Sequence, residues 1–273
     1  MAIDAVSNRG ANCLLPIANL CSHSSFQIVT MNFNNILFLD IETVSQQATY
    51  EELDAEWKEL WDLKARFLIK NPETESSENL YPRAAIYAEF GKIICISCGC
   101  IQGMGADRKL VIKSYSGHEE KKFLADFAVM LQAWGGQTDK FLCAHNGKEF
   151  DYPYLCRRMV VNGIEIPDAL KIAGRKPWEV RHLDTLELWK FGDYKSYTSL
   201  RLLAKVLDVP SPKDDIDGSM VNEVYYGQKN LDRIVEYCQK DVITLTQVLL
   251  RFHCQEQIKP SNYEFKNLRK ADI

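Results

Sequence analysis

A chain of 273 residues with 46% hydrophobic and 11% aromatic content can bury a substantial core, in one large domain or two small ones. Its net charge of −4 excludes a histone-like binder held by bulk charge, although a local basic groove is invisible in that total. Nine scattered cysteines, with no charged-then-apolar leader and no apolar run near the roughly 18 residues of a membrane span, indicate reduced thiols in a cytoplasmic protein.

Residues 1–30 lack sustained periodicity and precede Met31, a plausible natural start; the expectation is a flexible or artefactual extension followed by a single domain over 31–273. Ile36, Leu37, Phe38 and Leu39 form an apolar run that predicts a strand buried on both faces. Residues 45–89 read as a helical, acidic insertion, with Trp57, Leu60, Trp61, Lys64 and Leu68 near helical spacing, packed beside the site as a lid. "GKIICISCGCI" and "KLVIKSYS" predict two strands joined around Gly103–Asp107. Cys95 and Cys98 in the first of these form a C-x-x-C without a second pair, so core packing is the reading for both.

Phe123, Leu124, Phe127, Met130, Leu131 and Trp134 then mark an amphipathic helix closed by Gly135 and Gly136. "KFLCAHNG" is a short strand, and a helix follows from about Glu149. "RHLDTLELW" is another strand-to-helix passage, and "SLRLLAKVLDV" and "NLDRIVEYCQKDVITLTQVLLRFHC" are helices. Strands first, then mixed units, then helices describe one α/β domain with a mixed central sheet. Lys and Arg outnumber Asp and Glu between Arg157 and Lys205, whereas Asp40–Glu89 is acidic; solvated faces and a strand-binding groove both fit.

Side chains at i and i+2 of a strand share a face, so Asp40 and Glu42 in "FLDIET" point the same way where an apolar run ends. Two such charges raise one another's pKa unless a cation neutralises them. In "AHNGKEFDYPYL", Asn146 ends a strand and Asp151 falls in a helix's first turn, where it also suits the macrodipole. In "YCQKD", Tyr237 and Asp241 stack on one helical face; a solvated Asp beside a half-buried Tyr is the plainer alternative. Asp184 reads as a helix cap, His145 as a strand-end hydrogen-bonding residue, and "DDIDGS", 214–219, as a turn without the spacing of a calcium loop.

Taken in order, "FLDIET", "HNGKEFDYPYL" and "YCQKDV" resemble the three exonuclease motifs of the DEDD superfamily in its Tyr-bearing branch. The middle motif is most similar to the proofreading exonuclease domain of family B DNA polymerases. The resemblance spans about residues 33–253 and implies a ribonuclease H-like fold. It also implies a 3′-to-5′ exonuclease that releases nucleoside 5′-monophosphates with two divalent cations, Mg²⁺ or Mn²⁺. It implies that Asp40 binds both ions, that Glu42 and Asp241 complete one site, that Asp151 holds the other and that Tyr237 orients the attacking water. Thr43, Asn146 and Phe150 are then the substrate-binding residues.

The chemistry independently favours hard cations, since the acid positions of these motifs hold oxygen donors and neither His nor Cys. The expected partner is nucleic acid, foremost a single-stranded DNA 3′ end, with no membrane and with a polymerase or repair partner in trans. Two alternatives stand beside this reading: an RNA-trimming enzyme of the same chemistry, and a catalytically silent nucleic-acid-binding scaffold.

Overall fold

Ile36, Leu37, Phe38 and Leu39 are all buried, as the start of strand β1 (Ile36–Ser45), which lies inside the sheet. The computed structural model describes residues 31–135, 139–193, 197–210 and 216–266. The expected N-terminal extension therefore lies outside the described residues, as do Gly136 and the first two residues of "DDIDGS", Asp214 and Asp215. Asp217 in that segment accepts from the Ser219 amide and opens a short turn of helix, Gly218–Met220, in keeping with the turn reading.

β1 pairs antiparallel with β2 (Gly91–Gln102), and β2 pairs antiparallel with β3 (Lys109–Ser116). Strands β4 (Phe141–Ala144) and β5 (Leu183–Asp184) continue the sheet in parallel on the other side of β1. A sixth strand, β6 (Tyr263–Lys266), lies parallel to β3, so the order is β5-β4-β1-β2-β3-β6 with β2 alone reversed. This mixed sheet with helices against it is the ribonuclease H-like architecture that the motifs led us to expect.

The pleat of β1 sorts its residues. Leu37, Leu39 and Ile41 join a core with Phe123, Leu124, Phe127 and Leu131 of α2 (Glu120–Gly135) and Leu155 and Met159 of α3 (Asp151–Val161). The opposite face carries Asp40 and Glu42 towards α6 (Leu231–Phe252), whose Cys238 touches Asp40. The apolar stripe anticipated on α6 is buried, including Ile234, Cys238, Val242, Leu245, Val248 and Leu249. Gly99 of β2 lets this helix come close, because a Cβ there would lie 2.9 Å from Val242 Cγ1.

The insertion is less helical than its pattern suggested. α1 covers only Ala55–Ala65, capped by Asp54, whose side chain accepts from the Trp57 amide. Trp61 is fully buried and stands edge-on to Tyr81 and Phe90, giving the insertion its own aromatic core. Near its C-terminal end it is tied to α3: the Tyr154 hydroxyl donates to the Ala85 carbonyl, and Arg158 Nη1 donates to the Ala88 carbonyl. Arg158 is itself paired with Glu120 across α3 and α2, both side chains being buried.

Two short helices complete the described chain, α4 (Thr185–Lys190) and α5 (Leu200–Val206), the latter capped by Ser199. Cys95 and Cys98 are free and buried, packed into the cores on opposite sides of the sheet.

Candidate active site

The acids converge from three remote segments. Asp40 and Glu42 leave β1 on one face, opposite Ser97 and Cys95 of β2, and a bulge follows between Glu42 and Thr43. Burial raises the Asp40 carboxyl well above its usual range, and Asp241 and Asp151 raise it further, while a hydrogen bond from Cys238 opposes them. Glu42 is raised in the same way by burial, then Asp40 and Asp241, with smaller contributions from Cys95 and Asp151.

Asp151 is the first residue of α3 and is buried. The amides of Asp151 itself and of Ile41 bond to its carboxylate, which brings it against the backbone of β1. Burial and Asp184 outweigh those bonds and push it up to about 7. An acid serving only the helix dipole has no need of the Ile41 contact. Tyr237 and Asp241, one turn apart on α6, are hydrogen-bonded to each other. Burial and Asp241, then Glu42 and Asp40, drive the Tyr237 phenol far above its ordinary pKa, so it remains a protonated donor.

The turn between β4 and α3 shapes the neighbouring wall. Asn146 has a left-handed backbone, φ 64°, and its carbonyl accepts from the amides of Glu149 and Phe150. Its carboxamide makes no hydrogen bond to any described residue. Gly147 follows, and a Cβ there would overlap Ala144 Cβ. Phe150 is half-buried with its ring 5.4 Å from that of Tyr154. Past the bulge, Thr43 is half-buried and bonded to the Tyr154 hydroxyl.

Asp184 caps α4 as anticipated, accepting from the amides of Leu186 and Glu187. It has a second duty that the sequence did not disclose. The same carboxylate accepts from Asn146 N at 3.0 Å and Lys148 N at 3.1 Å, pinning the β4–α3 turn to α4. His145 is held at both ring nitrogens, Nδ1 to Thr185 Oγ1 and Nε2 to the Thr198 carbonyl, each at 2.9 Å. These bonds give it the strand-end role expected and leave neither nitrogen directed at an ion.

Two neighbours of the acids were not singled out from sequence. Cys238 sits between Tyr237 and the rest of the third motif, and its thiol lies 3.4 Å from both the carbonyl and Oδ2 of Asp40. Asp40, Glu42 and Cys238 present ligand atoms within 4.8 Å of one another, the tightest metal-competent grouping among the described residues. Its signal was its place in the apolar stripe of α6, which marks burial and says nothing of what lies beyond. Tyr197 is the other: its ring centroid stands 6.1 Å from that of His145, and Asp151, Asp184 and Asp40 all act on its phenol.

The class is defined by a ribonuclease H-like mixed sheet whose β1 carries Asp40 and Glu42 on one face, with Asp151 and Asp241 close enough to act on Asp40. Residues 86–271 match the family described as "Predicted 3'-5' exonuclease related to the exonuclease domain of PolB", and the chain belongs to that family. It is thus a member of a family of predicted nucleases. The match includes Asn146, Phe150, Asp151, Tyr237 and Asp241 and begins after Asp40 and Glu42. Similar solved structures include the family B DNA polymerase from the hyperthermophilic archaeon Pyrobaculum calidifontis, at 16% identity and a TM-score of 0.44. That alignment covers 79% of this chain and 24% of the polymerase. No curated protein matches the chain. Among the described residues, no helix is long and apolar enough to cross a membrane.

Proposed function

We propose that the protein is a metal-dependent 3′-to-5′ exonuclease that hydrolyses single-stranded DNA from its 3′ end and releases nucleoside 5′-monophosphates. The observation that carries the reading is Asp40 and Glu42 side by side on one face of β1, with Glu42 and Asp151 buried and with Asp241 and Asp151 both acting on Asp40. A fold does not bury such a set without compensation, and divalent cations are the compensation that oxygen donors of this kind select.

Asp40, Glu42, Asp151 and Asp241 would hold two Mg²⁺ or Mn²⁺ ions, with Asp40 shared. Bound there, such ions supply the positive charge that activates water and steadies the departing 3′-oxygen. Tyr237 is too weak an acid to serve as a general base, so it positions the water by hydrogen bond. Asn146 offers its carboxamide to the terminal nucleotide, with Phe150 and the backbone at Thr43 beside it. Asp184 and His145 are positioning residues. The expected setting is cytoplasmic, alone or beside a polymerase or repair partner.

The test is a 5′-labelled single strand, DNA or RNA, incubated with Mg²⁺, Mn²⁺ or EDTA. Laddering from the 3′ end should require metal, and Asp40→Ala and Asp241→Ala should each lower kcat by a factor on the order of 10³ or more. Tyr237→Phe should lower it by less. Cleavage that survives EDTA, or persists in either Asp variant, would sink the reading; faster trimming of RNA would move the substrate to the other polymer.

A further inference from the structure

Carboxylates give a strand's bases nothing to rest on, so neutral aromatic surface beside the acids is a natural place for part of the grip. Tyr197 offers such surface in the right place. It is 64% exposed, yet its phenol lies within the field of Asp151, Asp184 and Asp40. Its hydroxyl has no hydrogen-bond partner among the described residues.

The backbone that follows it is held at two points. The Thr198 carbonyl is held by His145 Nε2, in the residue next to Asn146, and Ser199 caps α5 through the Leu202 amide. The His145 ring meets Tyr197 edge-on, at an interplanar angle of 71°, supporting one edge and leaving most of the ring open. An aromatic ring held rigidly with its surface open loses little freedom when a flat partner settles on it.

We propose that Tyr197 is a stacking platform for a base of the single strand as it enters the acid cluster, which would make it a substrate-binding residue of the exonuclease site. The inference rests on the nuclease reading above and adds the manner of grip. Every base has a π face, so a contact of this kind holds strands of any sequence. It also predicts that the ring, and not the hydroxyl, carries the effect.

The experiment uses the full chain and single-stranded DNA carrying 2-aminopurine near its 3′ end. Quenching of that base on binding in EDTA reports stacking, and KM and kcat are measured separately in Mg²⁺. Tyr197→Ala should weaken binding and raise KM by roughly tenfold, with kcat changed by no more than about twofold. Tyr197→Phe should restore wild-type values. Because the side chain is exposed, a circular dichroism spectrum like wild type is expected for both variants. Unchanged KM and quenching in Tyr197→Ala overturns the inference, as does a Phe variant that behaves like Ala. A wild type that neither binds nor trims the strand removes the nuclease reading and this inference together; a trimming wild type with an indifferent Tyr197→Ala removes the inference alone.

Discussion

Asp151 holds its proton to about pH 7 because burial and Asp184 outweigh the two amides that its carboxylate accepts. With the unfolded value near 3.9, the folded state binds the extra proton between those two pH values. Stability of the metal-free protein should therefore be greatest below about pH 4 as far as this group is concerned, and should fall as pH rises through 7. Asp40 and Glu42, raised in the same direction, extend the loss upward. Thermal melts across this range in EDTA check the slope, and millimolar Mg²⁺ should flatten or reverse it. A melting temperature that climbs with pH in EDTA would show that the acids are already compensated within the protein. The pairing of Asp40 with Glu42 and of Tyr237 with Asp241 was legible in sequence, since strand and helix periods fix it locally. The hold of Asp184 on Asn146 and Lys148 was not, because those partners are 38 and 36 residues away.

The turn from β4 into α3 is where one missing methyl group matters. Gly147 packs against Ala144 and the Tyr152 ring, so Gly147→Ala forces the turn outward. We expect a loss of about 1–3 kcal/mol in urea unfolding. A fall in kcat should exceed what unfolding explains, because Asp151 begins the helix that this turn places. An unchanged midpoint and rate would show that the turn yields without moving the helix. Long elements announced themselves: α2, α3 and α6 carry apolar residues at helical spacing, and α6 is buried along that stripe. Within 45–89 the helical expectation held only over Ala55–Ala65; beyond it the chain turns and packs aromatics around Trp61 as its own core. β6 escaped notice because four residues, none of them buried, give almost no periodic signal; their pairing with β3 is a long-range event.

Across the whole molecule, one ion pair joins parts that share no continuous segment. Glu120 accepts from Arg158, Asn162 and the Ile93 amide, while Arg158 also reaches the Ala88 carbonyl, so α2, α3, β2 and the insertion meet at a single buried point. Removing one charge strands the other, and Arg158→Ala should cost about 3–5 kcal/mol in denaturant unfolding. A double replacement of Glu120 and Arg158 by apolar residues of similar size should recover much of that loss. If the single variant unfolds like wild type, the insertion is held without this ion pair, by its aromatic core and the Tyr154–Ala85 bond. Neither partner was recognisable from sequence, since an acid at the start of a helix and a basic residue in "LCRRM" both read as surface.

The far margin of the sheet carries one more consequence. β3 runs for eight residues and buries Leu110 and Ile112, and over Leu110–Lys113 it is covered by a shorter strand bearing Glu264 and Lys266. A long, sticky border is thereby exchanged for a brief one studded with charge, which gives a passing strand from another copy little to zip onto. Four inconspicuous residues thus hem that margin of the sheet.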